Sequence, residues 1–119
     1  MKQILTLVFL MVSVPMVFAQ QNTDCTIKYN LFKGDYQAKK YDAAYENWMW
    51  CMDNCPKLSV NIYKLGVKIA SEKLENASAA DKPAFVQLIN RIYTQRLEHF
   101  PKDFGKVYND WATFKAEQG

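Results

Sequence analysis

Residues 23–56 read TDCTIKYNLFKGDYQAKKYDAAYENWMWCMDNCP, and this stretch decides the fold. It divides into two helical segments, TDCTIKYNLFKGDYQAKK and YDAAYENWMWCMDNCP. The second closes on Pro56, which has no N–H to give and clashes with the preceding turn, so a helix stops there. Thr23 or Asp24 is placed to cap the first helix by accepting from its free N–H groups. Lys39 and Lys40 lie at its C-terminal end, where cations favour the macrodipole. The first helix carries two apolar stripes, one of Ile27, Leu31, Gly34 and Ala38, the other of Tyr29, Phe32 and Tyr36. Two stripes imply two packed sides, more than a lone surface helix needs. The second helix, from Tyr41 or Asp42, carries Tyr41, Ala44, Tyr45, Trp48, Cys51 or Met52, and Cys55, the spacing of one buried face. Ala43 and Ala44 are small enough for a neighbouring helix to approach closely.

The same stretch holds all three cysteines, Cys25, Cys51 and Cys55, so one is left over in any pairing. Cys51 and Cys55 are adjacent on one helix face but poorly directed for a bridge. In an antiparallel hairpin the start of the first helix lies beside the end of the second. That geometry predicts a Cys25–Cys55 disulfide with Cys51 free in the core, closing a loop worth roughly 3–4 kcal/mol in the chain-entropy account.

The surrounding chain bounds the class. With 119 residues there is room for one domain; half are apolar and 14% aromatic, enough to build a core. Four glycines and four prolines are too few for a turn-rich β protein, and the reading is all-α. A net charge of +3, with bases and acids interleaved, does not point to nucleic acid. At the N-terminus, Lys2 precedes an apolar run from Ile4 to Phe18, and Val17, Phe18 and Ala19 offer a cleavage site. Residues 1–19 therefore read as a signal peptide, in preference to an uncleaved anchor helix, and residues 20–23 as a flexible leader. The run is short, and Pro15 breaks it, so no stable membrane span is expected after signal removal. The expected location is outside the cytoplasm, periplasmic, secreted or associated with the outer envelope, where disulfides persist.

Beyond Pro56, Ser59 is placed to cap a third helix running from residue 60 to about 74 with Ile62, Leu65, Ile69 and Lys73 along it. Gly66 sits in its middle, the mark of a close-contact position. Residues 75–82 form the longest loop. Asp81 as cap and Pro83 in the first turn open a fourth helix, which carries Phe85, Leu88, Ile89, Ile92, Tyr93, Leu97 and Phe100 and stops at Pro101. A fifth, from Asp103 or Phe104 to about Ala116, holds Val107, Tyr108, Trp111 and Phe114.

Leu31 and Leu65 are 34 residues apart, as are Tyr29 and Tyr63, and KYNLFKG, IYKLG and VYNDW each open a helix. This resembles the tetratricopeptide repeat (TPR) family, a 34-residue helical hairpin bearing W-x2-L-G-x2-Y, then an alanine, an aromatic and a proline. In the first unit Leu31, Ala44, Trp48 and Pro56 match, with Cys51 at a usual alanine. Lys28 stands at the tryptophan, Phe32 at the glycine and Asp35 at the tyrosine. The second unit keeps Leu65, Gly66 and Pro101; the third has only its first helix. The units fall at about 25–58, 59–102 and 103–119, so the likeness covers residues 24–119, and it is closest to the N-terminal part of secreted bacterial TPR proteins. It implies a superhelix of stacked antiparallel hairpins, about five helices, in which each unit needs a neighbour to cover its apolar face. The far end then stands uncapped, unless the fifth helix is itself the cap. Tyr108, Trp111 and Phe114 would be covered by further repeats, a partner or a second copy.

The resemblance also implies a concave face lined by the first helix of each unit. Tyr29, Asn30 and Lys33, then Tyr63 and Lys64, then Tyr108 and Asn109 would line it as partner-binding residues, with Val67 and Ala112 beside them. Tyrosine offers a broad rigid contact and asparagine can bond an extended backbone; the competing reading packs these tyrosines between helices. The expected function is a non-enzymatic protein-interaction module or assembly scaffold of the bacterial envelope, taking a protein or peptide and no cofactor. The alternative is a structural bundle that forms a homo-oligomer through its C-terminal aromatics. An enzyme would need a polar cluster that the sequence lacks: Cys51 and Cys55 do not form a redox CxxC pair, and a metal site would need more ligands. His99, the lone histidine, ends a helix. Asn76, Ala77 and Ser78 match a glycosylation pattern but read as loop. Trp50, off the buried stripe, would mark a contact surface or pack against the leader.

Overall fold

The computed structural model describes residues 14–119, with side chains described from Gln21 onward. Five helices follow one another: α1 (Val14–Gln37), α2 (Tyr41–Asn54), α3 (Asn61–Glu75), α4 (Lys82–His99) and α5 (Phe104–Gln118). Each packs antiparallel on the next, and α1 also touches α3, so the helices form a stack of hairpins. Pro56 and Pro101 lie just beyond the ends of α2 and α4, and Pro83 sits in the first turn of α4, as their chemistry requires.

The first helix departs from expectation at its start. The residues read as a flexible leader, 20–23, are helical, and Thr23 and Asp24 lie inside α1 instead of capping it. Between Pro15 and Gly34 there is no helix breaker, and adding a turn to an existing helix is easier than nucleating a new one. The Gln21 side chain donates to the Asn54 carbonyl (3.3 Å), tying this segment to the end of α2. Of the segment read as a signal peptide, residues 1–13 lie outside the described residues. At the other end, α1 closes with Lys39 in the left-handed region (φ 60°). The Lys40 and Lys39 N–H groups donate back to the carbonyls of Asp35 (2.8 Å) and Tyr36 (3.0 Å), which turns the chain into α2 within three residues.

Only one of the two stripes on α1 is packed. Cys25 and Phe32 are buried, with Tyr29 and Tyr36 half-covered, whereas Ile27 and Leu31 remain 50% and 49% exposed. The expected second packed side is therefore solvent-facing in this chain, and the residue one step from Leu31 takes the interior place. On α2 the expected face holds: Ala44, Trp48, Cys51 and Met52 are buried.

Trp48 joins the two hairpins. It is fully buried, and its indole N–H donates to the Ile62 carbonyl at 2.7 Å. Gly66 lies against it so closely that a Cβ there would fall 2.6 Å from the indole nitrogen. Around this contact Phe32, Met52, Ile62, Tyr63, Ile69, Ile89, Ile92 and Val107 complete one core. Ion pairs at its edge connect α2 to the second hairpin, Asp42 with Lys73 (2.7 Å) and Asp53 with Arg91 (2.6 Å). Both are largely solvated, so each adds at most about 1 kcal/mol.

Ser59 acts at the start of α3, its Oγ accepting the Asn61 N–H at 3.1 Å. Asp81 does not cap α4 with its side chain. Instead its own N–H donates to the carbonyl and hydroxyl of Ser78 (3.0 and 3.3 Å), so a turn over residues 78–81 leads into the helix.

Cys25 and Cys55 are paired, with Cα atoms 5.9 Å apart. Cys51 is free and buried. Burial pushes its thiol up to about 11, with Lys28 pulling weakly the other way, so it stays protonated and unreactive at neutral pH.

Candidate functional site

The residues expected to line one concave face separate into four environments. Tyr29 sits where α1 meets the start of α3: its hydroxyl accepts from the Asn61 side chain (3.1 Å) and lies 3.4 Å from Ser59 Oγ. Lys33 lies above the same ring, 5.8 Å from its centre, and Asn30 is exposed beside it. Tyr63 is not on a surface at all. It is fully buried, its hydroxyl donates to the Pro56 carbonyl at 2.6 Å, and its ring lies 5.9 Å from that of Phe100. A Pro56 carbonyl facing inward needs a donor, and the phenol supplies it. Tyr63 is accordingly an inter-helix packing residue, and burial holds its phenol above the ordinary range.

Lys64, the next residue, turns outward and lines a groove of about 510 Å³ formed by α3, α4 and α5. Val67 and Lys68 continue this wall along α3. Tyr93 and Arg96 come from α4, and Asp103, Lys106 and Asp110 from the start of α5. The positions four apart on α3 and three apart on α4 share a helix face, which is why these side chains converge. Asp103 precedes α5 with a left-handed backbone (φ 62°), a conformation aspartate tolerates better than most residues. Lys106 and Asp110 pair across one turn at 3.0 Å. Tyr93 stacks on Trp111, with ring centres 6.2 Å apart. Its phenol is held above the ordinary range, first by burial and then by Asp110, with Arg96 opposing.

Arg96 has a buried Nε that, among the described residues, finds no hydrogen-bond acceptor. No described carboxylate lies within ion-pair distance of Arg96, Lys64 or Lys68. The groove thus carries four cationic side chains against two carboxylates, one of which is already paired. Arg96 and Lys68 were not singled out from the sequence. The available signal was an arginine three residues beyond Tyr93, on the same face of an otherwise apolar stripe.

Tyr108 and Asn109 lie elsewhere, at the outer side of α5. Tyr108 is 50% exposed and stacks on Phe104, itself 53% exposed, at 5.8 Å. Asn109 is exposed, and its carbonyl accepts from the Thr113 hydroxyl. Trp111 and Phe114 face inward; the Trp111 indole N–H donates to the Asn90 side chain at 2.9 Å, and Lys115 lies 3.7 Å above the ring. Trp50 is half-buried against α1, with the Lys28 ammonium 6.0 Å from its ring. His99 is the last residue of α4. Among the described residues there is no group of three or more His, Cys, Asp or Glu arranged to hold a metal ion, and no helix is long and apolar enough to cross a membrane.

The chain matches no family model, no curated protein and no solved structure.

Proposed function

We propose that this chain is a non-enzymatic, TPR-like interaction module or scaffold of the cell envelope, and that it takes a protein or peptide partner in the groove between α3, α4 and α5. The observation that carries this reading is the convergence of Lys64, Val67 and Lys68 with Tyr93 and Arg96 along one channel. Val67 and the Tyr93 ring give this mostly charged channel an apolar strip, so it offers both the contact area and the directed polar groups that a ligand groove uses. Export is supported by the apolar N-terminal segment and by the Cys25–Cys55 pair, since such pairs persist in oxidising compartments.

The test is selection of peptides from a displayed random library on the full chain. Selected peptides should bind Lys64→Glu much more weakly and Lys82→Glu, outside the groove, unchanged. Peptides that bind both variants like the parent would place recognition elsewhere and sink the reading. A second reading, self-association through α5, is favoured by the exposed Phe104–Tyr108 stack.

A further inference from the structure

The groove has a chemical bias that goes beyond its being a groove. Its deepest cation, Arg96, is half-buried. A guanidinium carries five donors in a fixed fork, and a buried donor in a folded protein is almost always matched. Here Nε is buried and unmatched among the described residues. Lys64 and Lys68 stand exposed above it on one face of α3, with no described carboxylate in reach of either. Lys106 is less available, because Asp110 already holds it. The three uncommitted cations therefore line the same channel from two helices.

The ligand's class follows from the rest of the lining. Val67 and the Tyr93 ring supply an apolar wall of a kind that a free inorganic anion would not use. Asp103 and Asp110 confine the cationic stretch to the α3–α4 side, and three cations are too few to hold a nucleic-acid backbone against salt. A peptide with spaced carboxylates satisfies both parts: carboxylates reach Arg96 and the lysines, and the intervening chain lies on Val67 and Tyr93.

We infer that the α3–α4–α5 groove selects acidic peptide segments, with the half-buried Arg96 guanidinium as the inner carboxylate contact and Lys64 and Lys68 as the outer ones. This rests on the groove being the partner site, and the test separates the two. Fluorescence anisotropy with the full chain compares labelled hexaglutamate, hexaglutamine and hexalysine, with inorganic phosphate as competitor. Hexaglutamate should bind best, and its binding should weaken as salt rises. Arg96→Gln should reduce its affinity about tenfold or more, the scale of one charge-assisted hydrogen bond. Because Arg96→Gln could disturb folding, the exposed pair Lys64→Gln/Lys68→Gln, checked by circular dichroism, should give a loss of similar size.

Hexaglutamate binding that both variants leave unchanged would overturn the inference. So would hexaglutamine binding equally well, although the groove reading would then survive if Lys64→Glu weakened it. Displacement of hexaglutamate by phosphate at equal concentration would assign the site to a small anion and reject the peptide. Binding by none of the three peptides would overturn the acidic preference, and the random-library selection would then decide the groove reading by itself.

Discussion

Gly66 and Trp48 show how one residue can oppose a local preference. An alanine in the middle of α3 would gain roughly 1 kcal/mol of helix propensity over glycine. A methyl group at Gly66, however, would meet the Trp48 indole at 2.6–2.8 Å. The indole has little freedom to retreat, because it is fully buried and bonded to the Ile62 carbonyl at 2.7 Å. Overpacking of this kind costs about 1–3 kcal/mol. Gly66→Ala should therefore lower stability by up to about 2 kcal/mol net, read as a fall in the urea midpoint at unchanged slope. A midpoint that rises would show that Trp48 gives way. The close contact was legible because a glycine inside a strong helical pattern needs a reason. The partner was not, since the stripe that turns Trp48 inward and leaves Trp50 off it does not say which residue of α3 the indole meets. Likewise, Phe32 and Leu31 are equally apolar neighbours, and only the direction of α2 decides that Phe32 is covered and Leu31 exposed.

At the scale of elements, apolar stripes were sufficient to locate α2 to α5, with Pro56 and Pro101 marking where α2 and α4 stop. The start of α1 was hidden, since a cap such as Asp24 competes with continued helix and the outcome depends on how Gln21 meets α2. The groove was hidden for a related reason. Its cations come from α3, α4 and α5, and their convergence is a property of packing, whereas the tyrosines that repeat along the chain serve the core at Tyr63 and solvent at Tyr108. The hairpin itself was readable down to its cross-link. Cys25 and Cys55 close a separation of 30 residues, so removing the bond should cost about 3–4 kcal/mol in the chain-entropy account. Reduction should lower the urea midpoint, and Cys25→Ser/Cys55→Ser should reproduce the loss. A thiol titration in denaturant should find one thiol before reduction, that of Cys51, and three after it. Three thiols without reductant would dismiss the bridge.

For the whole molecule, a stack of hairpins raises the question of its two outer faces, since each unit buries apolar surface only against its neighbours. On one side Ile27 and Leu31 lie open on α1; on the other Phe104 and Tyr108 lie open on α5. The α5 face is the stronger candidate for contact between copies, because its two rings are already stacked and need little ordering on association. Two half-exposed rings and their neighbours fall short of the roughly 800 Å² per partner that a stable interface uses, so the association should be weak. Light scattering should show monomer in dilute solution and a rising mean mass on concentration. Phe104→Ser/Tyr108→Ser should hold the mass at monomer, and both positions tolerate the change because they are exposed. Trp111 is unsuitable for this purpose, since it packs on Tyr93 and bonds Asn90, and its loss would confuse unfolding with dissociation. Ile27→Ser/Leu31→Ser serves as the counterpart. If that variant alone abolishes the mass increase, the contact belongs to α1. If each variant abolishes it, copies join head to tail, α5 of one against α1 of the next, and mixing the two variants should restore a dimer that neither forms alone.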